Sequence, residues 1–203
     1  MTGGDPLRSV LEDAQRIGLL GPQPVEIHIA HAEAWADALQ PAPLLDLGSG
    51  AGVPGLVLAL CWPDVEVSLL DGQTRRTAWL RTAAVRLGLD SRVRVLEGRA
   101  EDLGHDPDLR ERFDLVVARG FGPAATTAEC GSAFVAVGGR LSVSEPPGGA
   151  AVRWPETELR SLGLGMAEQV VQSTGTFVIL RKHASLEPRA PRLRNLPLRK
   201  PLW

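Results

Sequence analysis

Three glycines at alternate positions follow an apolar run and precede a stretch with helical character. The run 44–47 leads into Gly48, Gly50 and Gly52, and Pro54 stands where the next helix is expected to begin. Proline is favoured in the first turn of a helix because its missing N–H would be unpaired there. Glycine adopts positive φ and lets the backbone approach a ligand closely. The segment therefore predicts a strand–loop–helix unit that binds a ligand through its backbone.

Two kinds of ligand are compatible with this loop. The Gly-x-Gly-x-x-Gly run that starts at Gly50 matches the dinucleotide fingerprint, and Asp71 follows at about the spacing which that motif expects. The fingerprint places its first glycine at the strand end, beside a pyrophosphate. Here the strand is expected to end at Gly48, which puts Asp46 inside it. A carboxylate there repels a pyrophosphate but suits a ligand with a cationic amino-acid end, so the register favours the second kind.

The pattern Asp-x-Gly-x-Gly-x-Gly that starts at Asp46 resembles motif I of class I S-adenosylmethionine-dependent methyltransferases. The resemblance implies S-adenosylmethionine as the cofactor, with Asp71 accepting the ribose hydroxyls, although Asp71 is also suited to capping the helix expected near Thr74. It implies that Ala100 and Glu101 line the adenine, unless they only begin a polar helix. The cofactor residues predicted in this way are Asp46, Gly48, Ser49, Gly50, Gly52, Val53, Asp71, Gly72, Ala100, Glu101 and Arg119.

A more specific resemblance covers most of residues 25–202. The runs 46–55 and 98–101, the strand end at Arg119 and the tail 191–202 are similar to the bacterial RsmG (GidB) family, and 28–31 resembles the helix that precedes motif I in that family. The family methylates N7 of a guanine in 16S ribosomal RNA. The resemblance therefore implies ribosomal RNA, or the small ribosomal subunit, as the partner.

The chain departs from the family pattern at several positions. Glu145 lies near the expected substrate mouth, where the family usually has a base, and an acid there would weaken attraction to phosphate. Gly120 replaces an Ala after Arg119, and Ala190 replaces a Tyr. Asn195 replaces a Gly, a tolerable exchange because Asn also adopts left-handed φ. Two alternatives therefore stay open: a divergent methyltransferase acting on a small molecule or another substrate, and a non-catalytic RNA- or protein-binding module that retains the fold.

The implied reaction needs positioning more than acid–base chemistry. Guanine N7 carries an in-plane lone pair, and correct attack geometry supplies on the order of 7–11 kcal/mol. We therefore expect no dedicated catalytic residue. Arg119, at the mouth of the fourth strand, is expected to contact cofactor or substrate, or else to form a surface ion pair. His28 and His31 are expected to be ordinary surface or cap residues.

Charge is unevenly distributed along the chain. The net charge is −2, but residues 181–203 carry seven basic residues and one acid, so the preceding part is strongly acidic. A basic tail on an acidic body is typical of a polyanion-binding element, although such tails are also often merely solvated. The residues predicted to bind RNA are Arg192, Arg194, Arg199 and Lys200.

Strand-like and helix-like runs alternate through the middle of the chain, which predicts an α/β fold with a doubly wound, mostly parallel seven-stranded sheet. The expected strands are 44–47, 65–70, 93–96, 114–118, 139–144, 167–173 and 176–181, with helices at 54–61, 74–88 and 122–137. The last two strands flank Gly175 and predict an antiparallel hairpin. We divide the chain into a helical lead-in (1–40), a methyltransferase domain (41–183) and a tail (184–203), too rich in proline for regular structure.

Composition excludes several other classes of protein. Cys61 and Cys130 have no partners at metal-ligand spacing, so neither a metal site nor a disulfide framework is expected. The longest apolar stretch is far shorter than a membrane span, and the first residues lack the apolar segment of a signal peptide. We expect a cytoplasmic protein that does not bind membranes. The sequence leaves its oligomeric state open.

Overall fold

The computed structural model describes residues 5–146 and 153–203, so residues 1–4 of the expected lead-in lie outside the described chain. The helices are α1 Pro6–Arg16, α2 Val25–Ala38, α3 Gly55–Cys61, α4 Thr74–Arg86, α5 Ala100–Leu103, α6 Ala124–Ser132, α7 Glu156–Ser161 and α8 Leu196–Arg199. The strands are β1 Leu44–Leu47, β2 Val67–Asp71, β3 Val93–Glu97, β4 Phe113–Ala118, β5 Val135–Glu145, β6 Leu164–Gln172 and β7 Gly175–Lys182.

One seven-stranded sheet runs through the molecule in the order β3-β2-β1-β4-β5-β7-β6. The first five strands are parallel, and β7 is antiparallel to both β5 and β6. This arrangement confirms the predicted α/β fold and the C-terminal hairpin. Strand order reverses between β1 and β4, and ligands of open α/β sheets bind at the carboxyl ends of the strands at such a point. The fold therefore places the glycine loop after β1 at the expected ligand crevice.

Buried side chains cover both faces of the sheet. All four residues of β1 are buried, as expected for a strand with helices on each side. One apolar cluster joins β4 and β5 to α6 and α7, and another joins β1 and β2 to α2, α3 and α4. Trp35 of α2 reaches the sheet, where its indole N–H donates to Ser142 Oγ over 2.7 Å. The second N-terminal helix, α2, is thus packed onto the sheet.

Two predictions about local structure were wrong. The helix expected over 122–137 ends at Ser132, because β-branched Val135 and Val137 enter β5, where Gly138 turns with φ +90°. The tail is not irregular throughout, since Pro197 is tolerated in the first turn of α8. Across residues 5–146 and 153–203, the structure contains no helix long and apolar enough to cross a bilayer.

Candidate functional site

Two acids accept hydrogen bonds from the backbone of the glycine loop that follows β1. The Gly50 N–H donates to Asp71 Oδ2 over 3.0 Å, and the Gly55 N–H donates to Asp46 Oδ2 over 2.9 Å. Gly48 has φ +75°, and a Cβ there would lie 2.6 Å from the ring of Phe121. The loop therefore requires glycine for its conformation and for its contact with the segment after β4.

Asp46 is almost completely buried beneath this loop. Burial raises the pKa of its carboxyl to about 7, although the Gly55 N–H and Ser49 oppose the rise. The Ser49 hydroxyl donates to the Asp46 carbonyl over 2.9 Å, which fixes the end of β1. Burial makes ionisation of the Asp46 carboxyl unfavourable, and a nearby cation would favour the ionised form.

A cavity of about 190 Å³ lies at the switch point, between the loops after β1, β2, β3 and β4. Five of the predicted cofactor residues line it, and these are Gly48, Asp71, Gly72, Ala100 and Glu101. Six others are outside its lining within the described chain, and these are Asp46, Ser49, Gly50, Gly52, Val53 and Arg119. Val53 instead packs with Leu7, Leu11 and Val25 of the N-terminal helices.

The tail forms part of the same cavity, which the sequence analysis missed. Asn195, Pro197 and Leu198 contribute to its wall. The Asn195 N–H donates to Glu101 Oε1 over 3.1 Å, and Arg99 bridges Glu101 and the Asn195 side chain. Asn195 has φ 59°, which confirms that the Asn in place of a glycine adopts the left-handed conformation. The tail is therefore built into the ligand site.

Arg192 is the residue that attaches the tail to the domain. Its guanidinium and its backbone N–H all donate to the buried carboxylate of Glu129 on α6, over 2.7–2.8 Å. A further N–H donates to the Lys200 carbonyl. The structure thus places Arg192 in an ion pair within the protein, whereas Arg194, Arg199 and Lys200 are exposed and form no ion pair with described residues.

Arg119 lies at the end of β4 and contacts a histidine of α2. Its Nη2 donates to His28 Nδ1 over 2.7 Å, so the His28 ring is neutral and turns Nε2 towards the Gly21 carbonyl. Burial lowers the pKa of His28, and the Arg119 charge lowers it further. His31 lies one turn on, against Trp35, and burial, aided by the charge of Arg119, lowers its pKa to about 4. The expectation that these histidines are ordinary surface or cap residues was wrong for His28, which is buried because α2 packs onto the sheet, while His31 is half-buried.

A second cavity adjoins the first across Phe121 and Gly120, between the ends of β4 and β5. Glu145 and Arg153 are among its lining residues, and their side chains form an ion pair of 2.7 Å. The Glu145 side chain is fully buried, whereas that of Arg153 is 33% exposed. The acid that would weaken attraction to phosphate is therefore matched by a base from the following segment, a pairing that the spacing of the sequence does not reveal.

Comparisons with known proteins agree with this architecture. A variant of MtNAS solved in complex with S-adenosylmethionine has a TM-score of 0.62 at 17% identity, covering 88% of this chain and 73% of that one. A ribosomal protein L11 methylase from Lactobacillus delbrueckii subsp. bulgaricus has a TM-score of 0.56 at 15% identity, covering 81% of each chain. At these identities the likeness concerns the fold.

The sheet order and the loop–acid arrangement at the switch point define a class I S-adenosylmethionine-dependent methyltransferase. The cavity residues fit that cofactor, since the Asp71 carboxylate lines the cavity as an acceptor for hydroxyl groups, while Phe121 and Leu198 provide apolar surface for a flat ring.

The chain belongs to the GidB family, whose description is rRNA small subunit methyltransferase G and whose profile matches residues 14–144. A ribosomal RNA small subunit methyltransferase G from Moorella thermoacetica is 37% identical over 174 residues, 79% of this chain and 70% of that protein. The corresponding protein from Pelotomaculum thermopropionicum is 35% identical over 168 residues, 78% of this chain and 69% of that protein.

Proposed function

We propose that the protein transfers a methyl group from S-adenosylmethionine to N7 of a guanine in the RNA of the small ribosomal subunit. The observation that carries this proposal is that the family match covers residues 14–144, which include the loops after β1, β2, β3 and β4 that line the cavities. Such a substrate places the reaction in the cytoplasm, where ribosomal subunits assemble.

The cofactor brings a methyl group activated on a sulfonium, so the chain's own residues need only bind, orient and exclude water. In this proposal Asp71 accepts the ribose hydroxyls. Its Oδ1 accepts from the Gln73 N–H and retains acceptor capacity, whereas Oδ2 accepts from the Gly50 N–H and, over 3.4 Å, from Arg76 Nη1. Ala100 and Glu101 lie beside the adenine. Asp46 attracts the cationic amino end of the cofactor from beneath the loop.

The other predicted residues shape the cavity or the loop beside it. Gly48 and Gly72 give room at its wall, while Ser49, Gly50, Gly52 and Val53 hold the loop in shape. Arg119, held by its hydrogen bond to His28, lies at the carboxyl end of β4, on the side where the RNA that accepts the methyl group would bind. Phosphates of the RNA meet Arg194, Arg199 and Lys200, which are exposed next to the cavity wall, while Arg192 keeps this segment in place.

Two measurements test the proposal. Calorimetry should show that S-adenosylmethionine binds and NAD does not, and that Asp71→Ala abolishes binding. Small subunits from cells that lack this methylation are then incubated with the enzyme and methyl-labelled cofactor. Borohydride reduction followed by aniline cleavage, which is selective for 7-methylguanosine, should cut the RNA at one site. Preference for NAD, or label at another atom or only in small molecules, would overturn the proposal.

A further inference from the structure

The cavity between β4 and β5 holds a charged pair that the cofactor site does not use. Arg153 Nη1 donates to Glu145 Oε2 over 2.7 Å, and the Trp154 indole donates to Glu145 Oε1 over 3.1 Å. The Trp203 indole donates to the Arg153 carbonyl over 2.9 Å. Both carboxylate oxygens and the backbone of the arginine are thus fixed, which sets the direction of the guanidinium.

Only one member of this pair is accessible from the cavity. Glu145 has no exposed side-chain surface, whereas Arg153 is one-third exposed. Arginine carries five N–H donors. Within the described part of the chain, one donor of Arg153, on Nη1, has an acceptor, which is Glu145 Oε2. The cavity therefore presents guanidinium donors that no residue of 5–146 or 153–203 accepts, and it adjoins the cofactor cavity across the Phe121 ring.

We propose that this cavity receives the acceptor base and that Arg153 selects guanine by donating to its O6. This proposal rests on the function proposed above. Guanine presents N7 and O6 as two acceptors on one edge, whereas adenine presents N7 beside an amino donor. A guanidinium that donates to O6 alone leaves the N7 lone pair available for the methyl group. An adenine in the same position would turn N–H groups towards Arg153 and would be rejected. Phe121 offers the flat apolar surface on which a splayed base stacks.

Glu145 gives the pocket the charge that this reaction requires. Methylation of N7 places a positive charge on the purine, which an unpaired arginine would repel. The buried Glu145 carboxylate cancels that repulsion while leaving the donors of Arg153 in place. Burial raises the pKa of Glu145 and Arg153 opposes the rise, as expected for a buried ion pair. Glu145, the acid that departs from the family pattern, thus supplies the negative charge beside Arg153, the residue proposed to recognise the nucleobase.

The test compares two acceptor bases at the target position of reconstituted small subunits. Guanine has O6, whereas 2-aminopurine lacks it and keeps N7. Replacing both partners, as Glu145→Leu with Arg153→Met, avoids a buried unpaired charge. We expect the ratio of kcat/KM for guanine over 2-aminopurine to fall about tenfold or more in this double variant, while calorimetry shows unchanged affinity for S-adenosylmethionine. A companion variant, Glu145→Gln, should lower kcat on guanine with little change in KM.

The outcomes separate the two proposals. If the pair only seals the end of β5, the double variant slows methylation of both bases alike and the ratio stays at its wild-type value, which overturns the assignment of Arg153. A Glu145→Gln variant that changes KM alone overturns the role given to Glu145. If the wild-type enzyme does not methylate guanine N7 at all, the proposed function fails first.

Discussion

Asp46→Asn is expected to stabilise the protein at neutral pH, because the buried carboxyl disfavours the folded state once it ionises. Burial moves the pKa of Asp46 from 3.8 to about 7. The folded protein therefore binds this proton more tightly than the unfolded chain does. Stability is expected to fall as pH rises from about 4 to about 7 and to change no further above that. Each pKa unit corresponds to about 1.4 kcal/mol, so the full cost is about 4 kcal/mol.

The asparagine keeps an oxygen that accepts from the Gly55 N–H but never ionises. Between pH 5 and pH 8, the raised pKa of Asp46 lowers the stability of the wild type over about two pH units. The stability difference between variant and wild type should therefore grow by about 3 kcal/mol over that range. Urea unfolding followed by tryptophan fluorescence at several pH values measures it. Asp114→Asn, which removes the charge of an exposed acid on β4, is the control for losing a carboxylate at the surface.

A stability difference that does not depend on pH would refute this account of Asp46. It would mean that Asp46 ionises as easily in the folded protein as in the unfolded chain. A variant that is destabilised at all pH values would instead show that the amide N–H has no room beneath the loop. The two results are distinguishable, since only in the second does the stability difference between variant and wild type still change with pH.

Two further substitutions test the loop and the attachment of the tail. Gly52→Ala should destabilise the protein by about 2–4 kcal/mol, because it adds overpacking against Leu56 to left-handed strain; Gly120→Ala, with φ +63° and open space, should cost only about 1–2 kcal/mol in the same unfolding assay. Glu129→Gln should cost about 1–3 kcal/mol, because it weakens the charged hydrogen bonds of Arg192. Calorimetry should also show weaker cofactor binding; full affinity with a loosened, protease-sensitive tail would contradict the wall assigned to it.

The sheet could be predicted because its central strands are buried on both faces and follow one another with helices between them. β1 was predicted at its observed bounds, and the motif that starts at Asp46 fixed its end. Helix ends were harder to predict where the apolar residues are compatible with both a helix and a strand. The apolar run around Val135 continued the helical pattern of α6, and only the β-branched residues and the turn at Gly138 separate the two elements.

Contacts between residues far apart in the sequence could not be predicted from the spacing of motifs. Arg192 and Glu129 are 63 residues apart, and Arg119 and His28 are 91 apart. The charge of the tail predicted a polyanion site, but it did not distinguish an arginine that binds its own domain from those that face solvent. Only packing decides which cation has a buried carboxylate within reach.

The glycine loop shows why a motif can predict a site without naming the residues that line it. Asp71 lines the cavity, yet it also accepts from the Gly50 N–H, so the acid at the end of β2 shapes the loop that leaves β1. Asp46 accepts from the Gly55 N–H at the start of α3 and lies outside the cavity lining. The spacing of the motif thus reflects hydrogen bonds that set the loop, and the ligand meets a surface which those bonds have already formed. Replacing Asp71 should therefore disturb loop and ligand together, whereas replacing Asp46 should change the charge beneath the loop and leave its surface intact.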